Sequence, residues 1–366
     1  MRSKSPKAVA NVRGSEVRQS PKNSPTVSVV ILCYNYAQFL PSAVGSALSQ
    51  IGVEIEVIIV DDASTDRSIE VARALAARDP RVRVVENGRN QGMVATFNNG
   101  LAVANGDYLI RLDADDMLTP GSVGRAIALF EEFPQVGLVY GHPLHFSTPV
   151  APQHRDRATS WDIFVGRSWL EMRCRLAQNC ITSPEVVMRA SVVNRVGGQR
   201  DLTHTPDFEM WLRMARVSDI GWIGGSDQAW HRDHADSMSA QGLDVITDYH
   251  ERARAFEILL TDGEGDPAED ARLLQLARTT LAGEALASAA YSFVRGRGAT
   301  SEPEKYIEFA DSMGVDPASL RHSGSLRSAQ RAGARLAPFS PHLVLWATRY
   351  RVSRELGASR WRSRGI

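Results

Sequence analysis

The hydrophobic and polar positions between Val27 and Tyr140 follow two alternating patterns. Short apolar runs rich in β-branched residues are separated by longer segments in which apolar residues recur at helical spacing. This alternation is typical of βαβ units, and it predicts a mostly parallel α/β sheet flanked by helices. The predicted strands are Val27–Leu32, Glu56–Val60, Val82–Glu86, Tyr108–Leu112 and Val136–Tyr140. The predicted helices are Ala37–Ser49, Ser68–Arg78, Thr96–Ala104 and Gly121–Phe133.

The pattern changes on both sides of this region. From Trp161 to Ser239 it is mixed, with a strand-like segment at Glu185–Arg189 and a helical one at Asp207–Val217. Beyond Asp248 the chain is rich in Ala, Arg and Leu and is predicted to be mostly helical. The first residues carry Arg, Lys, Ser and Pro without an apolar core, which predicts a disordered arm rather than a signal peptide. We therefore expect a disordered basic arm over 1–25, an α/β domain over 26–245 and a helical extension over 246–366.

The end of the chain allows two interpretations. From residue 341 an apolar stretch, Leu343–Trp346, is followed by several arginines. Such a tail can lie on an anionic membrane surface, or it can be a helix that packs on the domain with its arginines in water. These arginines are Arg349, Arg351, Arg354, Arg360, Arg362 and Arg364.

Charge and cysteine content narrow the function classes. Lys and Arg total 42 and Asp and Glu total 42, so no overall positive field favours nucleic acid as a partner. The three cysteines have no CxxC spacing and predict no disulfide framework, which favours a reducing, cytoplasmic location. No run reaches the roughly 20 apolar residues that cross a bilayer. Any membrane contact would then be peripheral, at the inner face of the cell membrane.

Polar residues follow four of the five predicted strands. Ligands of parallel sheets bind beyond the carboxyl ends of the strands, so these residues are candidates for one site. They are Tyr34-Asn35, Asp61-Asp62, Asn87 to Asn90, and the tetrad Asp113-Ala114-Asp115-Asp116. The first turn, residues 33–37, argues strongly against a dinucleotide-binding dehydrogenase, because it has no glycine for close approach to a pyrophosphate.

The acidic tetrad is the most informative of these segments. Three carboxylates this close repel each other unless a cation joins them, and Mg²⁺ or Mn²⁺ bound to phosphate is the natural occupant. The alternative is a solvated turn in which Asp116 or Thr119 caps a helix. Both interpretations are open on the tetrad alone.

The order of motifs resembles that of inverting family 2 glycosyltransferases with the GT-A fold. The resemblance covers roughly residues 25 to 240, and the ordered set is far more specific than any one motif. The motifs are Val27 to Asn35, Val60 to Asp66, Asn90-Gln91-Gly92, Leu112 to Asp116 and Asp207 to Leu212. The resemblance implies a GT-A domain over 26–245 and transfer of a sugar from a nucleotide diphosphate sugar to a hydroxyl of a glycan or lipid-linked acceptor.

The resemblance also implies roles on the donor side. Asp62 would contact the base, with Tyr34 and Asn35 lining the same pocket, and Asn90 would belong to the nucleotide-sugar site. Asp113 would lie on the ribose side. Asp115 would bind Mn²⁺ or Mg²⁺, with Asp116 as an alternative metal ligand.

On the acceptor side the resemblance implies a general base. Asp207 occupies the family's position for it, with Glu209 as a fallback, although Pro206 and Asp207 would equally well start an ordinary helix. The segment His231 to Ser239 resembles the family's closing loop. Arg232 would approach the diphosphate, and His234 would approach the metal, which favours Mn²⁺ over Mg²⁺.

The sequence departs from the family pattern at one position. After Asn90-x-Gly92 the family commonly has Ala-Arg-Asn, but here Phe97 replaces the arginine. This departure leaves the identity of the donor open. Two other function classes stay open as alternatives. A sugar nucleotidyltransferase would release pyrophosphate, and a non-catalytic nucleotide-sugar-binding protein would bind the donor without turnover.

Overall fold

A computed structural model describes residues 6–234, 244–296 and 302–365. The strands are β1 (Ala8–Arg13), β2 (Thr26–Cys33), β3 (Glu54–Asp61), β4 (Val82–Glu86), β5 (Tyr108–Asp113), β6 (Met117–Leu118), β7 (Val136–Phe146), β8 (Ser160–Phe164), β9 (Val187–Arg189) and β10 (Asp219–Arg232). The helices are α1 (Leu40–Leu48), α2 (Ser68–Arg78), α3 (Gly92–Leu101), α4 (Ser122–Glu132), α5 (Gly166–Leu176), α6 (Ala190–Val196), α7 (Pro206–Val217), α8 (Val245–Leu260), α9 (Pro267–Arg295), α10 (Pro303–Ser312), α11 (Ser323–Leu336) and α12 (Pro341–Arg364).

The strands form one sheet in the order β1-β8-β10-β7-β9-β5-β2-β3-β4, with β6 paired to β10. The neighbours β5, β2, β3 and β4 are all parallel. The other half is mixed, since β7 and β10 are parallel but β8 and β9 pair antiparallel with their neighbours. The predicted α/β sheet with flanking helices is confirmed, and the parallel arrangement applies to the half from β5 to β4.

Burial explains why the parallel strands read as continuous apolar runs. Val29, Val30 and Ile31 in β2 are fully buried, and so are Ile58 and Ile59 in β3. Helices cover both faces of a parallel sheet, so both sets of alternating side chains lie in the core. The register aligns Cys33 with Asp61. The carboxyl ends of the strands therefore meet at one edge.

The N-terminal segment differs from the expected disordered arm. Ala8–Arg13 form the edge strand β1, which pairs antiparallel with β8. Arg13 Nη2 lies 2.5 Å from Asp162 Oδ1, and Val17 is buried. An edge strand is held largely by backbone hydrogen bonds, so its side chains leave little hydrophobic pattern to detect.

The C-terminal helices continue the core of the sheet. A single apolar cluster joins Trp169 of α5 and Trp211 of α7 to Phe256 of α8 and Leu281 of α9. Helix α9, with 29 residues, is the longest helix among the described residues. Helix α7 is thus held between the sheet and the helical extension, which fixes the direction of its first turn.

Helix α12 packs against the rest of the protein. Leu343 and Ala347 are buried, and the Tyr140 hydroxyl of β7 donates a hydrogen bond to the Gly365 carbonyl. On another face, Leu345, Val352 and Leu356 are exposed. The tail is therefore a helix that packs on the domain, although one of its apolar faces is exposed to solvent. Among the described residues, none of the helices has the length and apolar character needed to span a bilayer.

Candidate active site

The predicted donor residues gather at the carboxyl edge of β2, β3 and β5. Asp61 pairs in register with Cys33, and Asp113 pairs with Leu32. This is the edge at which parallel sheets bind ligands.

Tyr34 and Asn35 follow β2 but differ in their contacts. Asn35 adopts a left-handed backbone with φ of 59°, a conformation that Asn tolerates better than most residues. Its Oδ1 accepts hydrogen bonds from the backbone N–H groups of Thr65 (2.7 Å) and Asp66 (3.2 Å). Asn35 therefore fixes the loop after β3. Tyr34 is 43% exposed, so its ring is open to a planar ligand.

The two acids after β3 are both buried but are satisfied differently. Asp62 accepts hydrogen bonds from Asn87 Nδ2 (2.7 Å), Gln91 N (2.8 Å) and Gly92 N (2.9 Å), and these occupy both of its oxygens. Asp61 Oδ2 accepts from Ser64 N at 3.0 Å, whereas its buried Oδ1 has no hydrogen-bond partner among the described residues. An orphaned buried acceptor is costly. Asp61, rather than Asp62, therefore offers the open acceptor.

Asn90 belongs to the turn that enters α3. Its Oδ1 accepts a hydrogen bond from Gly92 N at 3.2 Å, and the side chain is exposed. Gly92 has φ of 81°, which a side chain at that position would make unfavourable. The turn is therefore held by Asp62 from below and by Asn90 from the solvent side.

The acidic tetrad turns sharply, and each carboxylate has a different partner. Asp116 N donates to the Asp113 carbonyl at 3.0 Å, which closes the turn. Asp113 Oδ1 lies 2.9 Å from Arg111 Nη2. Asp115 Oδ2 lies 2.9 Å from His234 Nε2.

Asp116 is fully committed to the end of β10. Its Oδ2 lies 3.1 Å from His231 Nδ1, and its Oδ1 accepts from Arg232 N at 2.9 Å. The carboxylate is almost completely buried. Asp116 thus joins the tetrad to β10, with each of its oxygens in contact with a residue of that strand.

The clustered charges shift two titrating groups. Burial, followed by the charges of Asp116 and Asp113, raises the pKa of Asp115 to about 6. Burial acts to lower the pKa of His231, but the hydrogen bond and charge of Asp116, together with Asp113 and Asp233, raise it to about 9. A site in which carboxylates are hard to ionise together is one that favours a bound cation.

The donor atoms suit a divalent cation. Asp115 and His234 place a carboxylate oxygen and an imidazole nitrogen 2.9 Å apart, and both side chains are largely shielded from solvent. Such a mixed oxygen and nitrogen set suits Mn²⁺ better than Mg²⁺. A second group of ligand atoms within 4.8 Å of one another, on His145, His231 and Asp233, lies at the ends of β7 and β10.

Arg232 is held beside the tetrad. Its Nε donates to the Asp115 carbonyl at 3.1 Å, and its guanidinium lies over the rings of Phe39 (4.8 Å) and Phe146 (4.5 Å). Cation–π contacts of this kind hold a guanidinium without neutralising it. The rest of the predicted closing loop, Ala235 to Ser239, lies outside the described residues.

Asp207 lies in the first turn of α7, directly after Pro206. Its Oδ1 accepts a hydrogen bond from Phe208 N at 2.7 Å. Burial raises the pKa of Asp207, the positive charge of Arg111 opposes this, and the negative charge of Asp113 adds to it. The Asp207 carboxylate therefore lies close enough to the tetrad to be affected by its charges.

Glu209 has a structural environment instead. It is fully buried, its oxygens lie 2.9 Å from Arg213 Nε, and Oε1 lies 3.1 Å from Arg200 Nη1. Burial raises the pKa of Glu209 although Arg213 and Arg200 oppose the shift, and its oxygens are held by these two arginines. The geometry favours Asp207 over Glu209 as the acid that faces the site.

Three residues near the site were not singled out from the sequence. Arg111 contacts Asp113 and donates from Nη1 to Ser183 Oγ. Glu185 is buried, and burial raises its pKa to about 7 although hydrogen bonds from Thr182 oppose the shift. Arg111 interrupts an apolar strand, which was a usable signal. Ser183 and Glu185 carried none, because they reach the site only through tertiary packing.

Solved structures define the class of the fold. TarS of S. aureus, residues 1–349 in complex with UDP-GlcNAc, superimposes with a TM-score of 0.55 at 14% identity, covering 84% of this chain and 91% of that chain. The mannosyltransferase PcManGT of Pyrobaculum calidifontis, in complex with GDP-Man and Mn²⁺, gives 0.53 at 18% identity, covering 91% and 86%. The fold, with acids gathered at one edge of the sheet, is that of GT-A type glycosyltransferases.

Sequence comparison gives a family match. Residues 28–192 match the model described as Glycosyl transferase family 2, in agreement with the resemblance seen in the sequence. A chondroitin synthase of Escherichia coli is 27% identical over 232 residues, which is 63% of this chain and 32% of that protein. The chain spans less than two thirds of the length of the first curated relatives that it matches.

Proposed function

We propose that this protein transfers one sugar from a nucleotide diphosphate sugar to a hydroxyl, with inversion, in the synthesis of a surface glycan or glycolipid. The observation that carries the proposal is the pairing of two kinds of acid at one edge of the sheet. Asp113 and Asp115 lie at the end of β5, and Asp207 lies at the start of α7 within range of their charges. Transfer with inversion needs a carboxylate base on the acceptor side of the anomeric carbon. On the opposite side, the charge of the leaving diphosphate has to be neutralised.

The donor would bind along β2 and β3. Tyr34 offers an exposed ring to the base, and Asn35 with Asn90 would shape the same pocket. Asp61 Oδ1 is the better base acceptor in this proposal, because the Asp62 oxygens already hold the turn before α3. Asp113 would face the ribose.

Asp115 and His234 would hold a divalent cation, and Arg232 would face the diphosphate. When bound, that ion supplies neutralisation of the negative charge that builds on the leaving diphosphate. The neighbour PcManGT is described with Mn²⁺, and the nitrogen ligand favours the same ion here. Asp116 is proposed to hold His231 and Arg232 in place rather than to bind the ion.

Asp207 would act as the general base. Its carboxylate takes the proton from the acceptor hydroxyl as that oxygen bonds to the anomeric carbon, and the bond from that carbon to the diphosphate oxygen breaks with its electron pair on the nucleotide. Burial keeps the pKa of Asp207 above its usual range, which makes the carboxylate a stronger base. Its position at a helix start does not conflict with this role.

The acceptor and the location belong to the same proposal. The chondroitin synthase relative acts in glycan synthesis by its name, and the two structural neighbours are described with UDP-GlcNAc and GDP-Man. A glycan or lipid-linked acceptor at the inner face of the cell membrane fits a chain whose α12 exposes Leu345, Val352 and Leu356 near arginines. The proposed catalytic domain spans 26–245, followed by the helical region 246–366.

A donor screen tests the proposal and its two alternatives. The full chain is heated with a panel of UDP- and GDP-sugars and Mn²⁺, because a ligand that binds only the folded state raises Tm. The stabilising donor is then incubated with the protein, and the released nucleotide is analysed. Nucleoside diphosphate is the expected product. Release of pyrophosphate when the chain is instead given a nucleoside triphosphate and a sugar phosphate would favour a nucleotidyltransferase. Binding of the donor without any release would favour a non-catalytic binding protein.

A further inference from the structure

A site with this many carboxylates lacks the cation that the family pattern leads one to expect on α3. The side chain in that position is Phe97, which is 1% exposed and lies in the apolar core. Buried carboxylates without a nearby positive charge are expensive to ionise. Either the site tolerates that cost, or another residue supplies the charge.

Arg111 of β5 lies close enough to one of these carboxylates to supply the charge. Its side chain is 5% exposed, and its Nη2 lies 2.9 Å from Asp113 Oδ1. Residues 111 and 113 are two apart in a strand, so their side chains project from the same face. On the other side, Nη1 donates to Ser183 Oγ, which fixes the direction of the guanidinium.

Arg111 also reaches the helix that carries Phe97. Its Nη2 lies 4.0 Å from Met93 Sδ. Met93 and Phe97 are four residues apart in α3 and share one face of that helix. The Arg111 guanidinium therefore lies in the region that an arginine at position 97 would reach. It comes from β5, whereas an arginine at position 97 would come from α3.

The charge of Arg111 acts on the acceptor side as well. Among the charged groups that shift the pKa of Asp207, Arg111 is the one that opposes burial, and Asp113 is the one that adds to it. A single guanidinium thus contacts the Asp113 carboxylate and acts through its charge on the proposed base. Its Nε is buried and has no hydrogen-bond partner among the described residues, so packing alone does not account for its position.

We infer that Arg111 is a positioning residue for the proposed transfer reaction, replacing from β5 the cation that Phe97 removes from α3. The inference rests on the proposed function. In this role Arg111 holds the Asp113 carboxylate toward the donor and keeps the donor and acceptor acids from repelling each other. It contacts neither the leaving group nor the proton that is transferred.

The test compares the variants Arg111→Gln and Arg111→Lys with the exchange variant F97R/R111F. Affinity for UDP or GDP with Mn²⁺ is measured by calorimetry, and donor KM and kcat are measured by release of nucleoside diphosphate. Arg111→Gln should lower kcat/KM by about 10²-fold, because it leaves buried carboxylates unpaired. Arg111→Lys should recover at least tenfold of that loss. The exchange variant F97R/R111F should have a kcat/KM at least tenfold higher than that of the single variant Arg111→Phe, which is measured beside it.

The matched control is Arg189→Gln. Arg189 contacts Tyr108 at the opposite end of β5, so its loss should lower Tm without changing donor KM. A folded Arg111→Gln protein with wild-type KM and kcat would overturn the inference while leaving the proposed function intact. Should Arg111→Gln not fold, failure of both Arg111→Lys and the exchange variant to recover activity would overturn it. Absence of nucleotide binding by the wild-type chain would contradict the proposed function and this inference together.

Discussion

Replacing Asp207 by Asn probes the proposed chemistry with little change in shape. Asn has the size of Asp, and its side-chain oxygen can still accept the 2.7 Å hydrogen bond from Phe208 N, so the start of α7 should persist. The amide cannot take a proton from the acceptor. Loss of a general base lowers turnover by about 10² to 10⁴-fold, which corresponds to roughly 3 to 5 kcal/mol of barrier. Affinity for nucleoside diphosphate with Mn²⁺ should stay within a few-fold.

The assay measures kcat by release of nucleoside diphosphate across pH. In the wild type, activity should fall as pH drops through the raised pKa of Asp207, because only the carboxylate is active. Asp207→Asn should remove that acidic limb. If Asp207→Asn kept turnover within a few-fold of wild type, Asp207 would be excluded as the general base.

Glu209→Gln is the control for the same helix turn. Glu209 is fully buried between Arg213 and Arg200, so its neutralisation should destabilise the fold by about 3 kcal/mol and lower Tm. The protein that remains folded should keep its acidic limb and most of its kcat. The opposite outcome, in which Glu209→Gln loses turnover and Asp207→Asn does not, would transfer the role of base to Glu209.

Three further predictions concern the cation, the tetrad and the tail. Asp115→Asn should weaken binding of nucleoside diphosphate in Mn²⁺ by about 30-fold or more, and calorimetry giving equal affinities with and without chelator would contradict a metal at this position. The pKa of His231 is raised from 6.5 to about 9, so the stability that its contact with Asp116 contributes should be complete below about pH 6.5 and lost as pH rises through about 9. Thermal unfolding should therefore show the gap between wild type and His231→Gln closing over that range, and a constant gap would exclude the contact as its source. On anionic liposomes at low salt the full chain should co-sediment, while a variant with Ser at Leu345, Val352 and Leu356 should not. Identical behaviour of both proteins would remove the membrane role of α12.

The sequence predicted the elements whose limits are set locally. Helix α2 and strand β4 begin and end where the pattern placed them. Helix α3 begins at Gly92, four residues before the predicted start at Thr96. Its start depends on the Asp62 carboxylate, which accepts the N–H groups of Gln91 and Gly92 from another strand end. A hydrophobic pattern within α3 cannot contain that information.

The candidate site shows the same division. The alternating pattern predicted where β3 and β5 end, and the acids that follow these strands lie at one edge of the sheet. Which carboxylate oxygens are free depends on tertiary hydrogen bonds: those of Asp62 and Asp116 are used, whereas Asp61 keeps one open. Arg111 interrupts an apolar strand, which the sequence shows, but its contacts with Asp113 and with Met93 of α3 are visible only in the structure.

The stereochemistry of the released sugar distinguishes inverting transfer from other reactions of a nucleotide sugar. A stabilising α-linked nucleotide sugar is incubated with the full chain and Mn²⁺, and early release to water is followed by ¹H NMR before the sugar equilibrates between anomers. Inverting transfer should give nucleoside diphosphate together with the β-anomer of the sugar. Asp207→Asn should give neither product above background. Release of the α-anomer, or of a nucleoside monophosphate with a sugar phosphate, would contradict inverting transfer at this site.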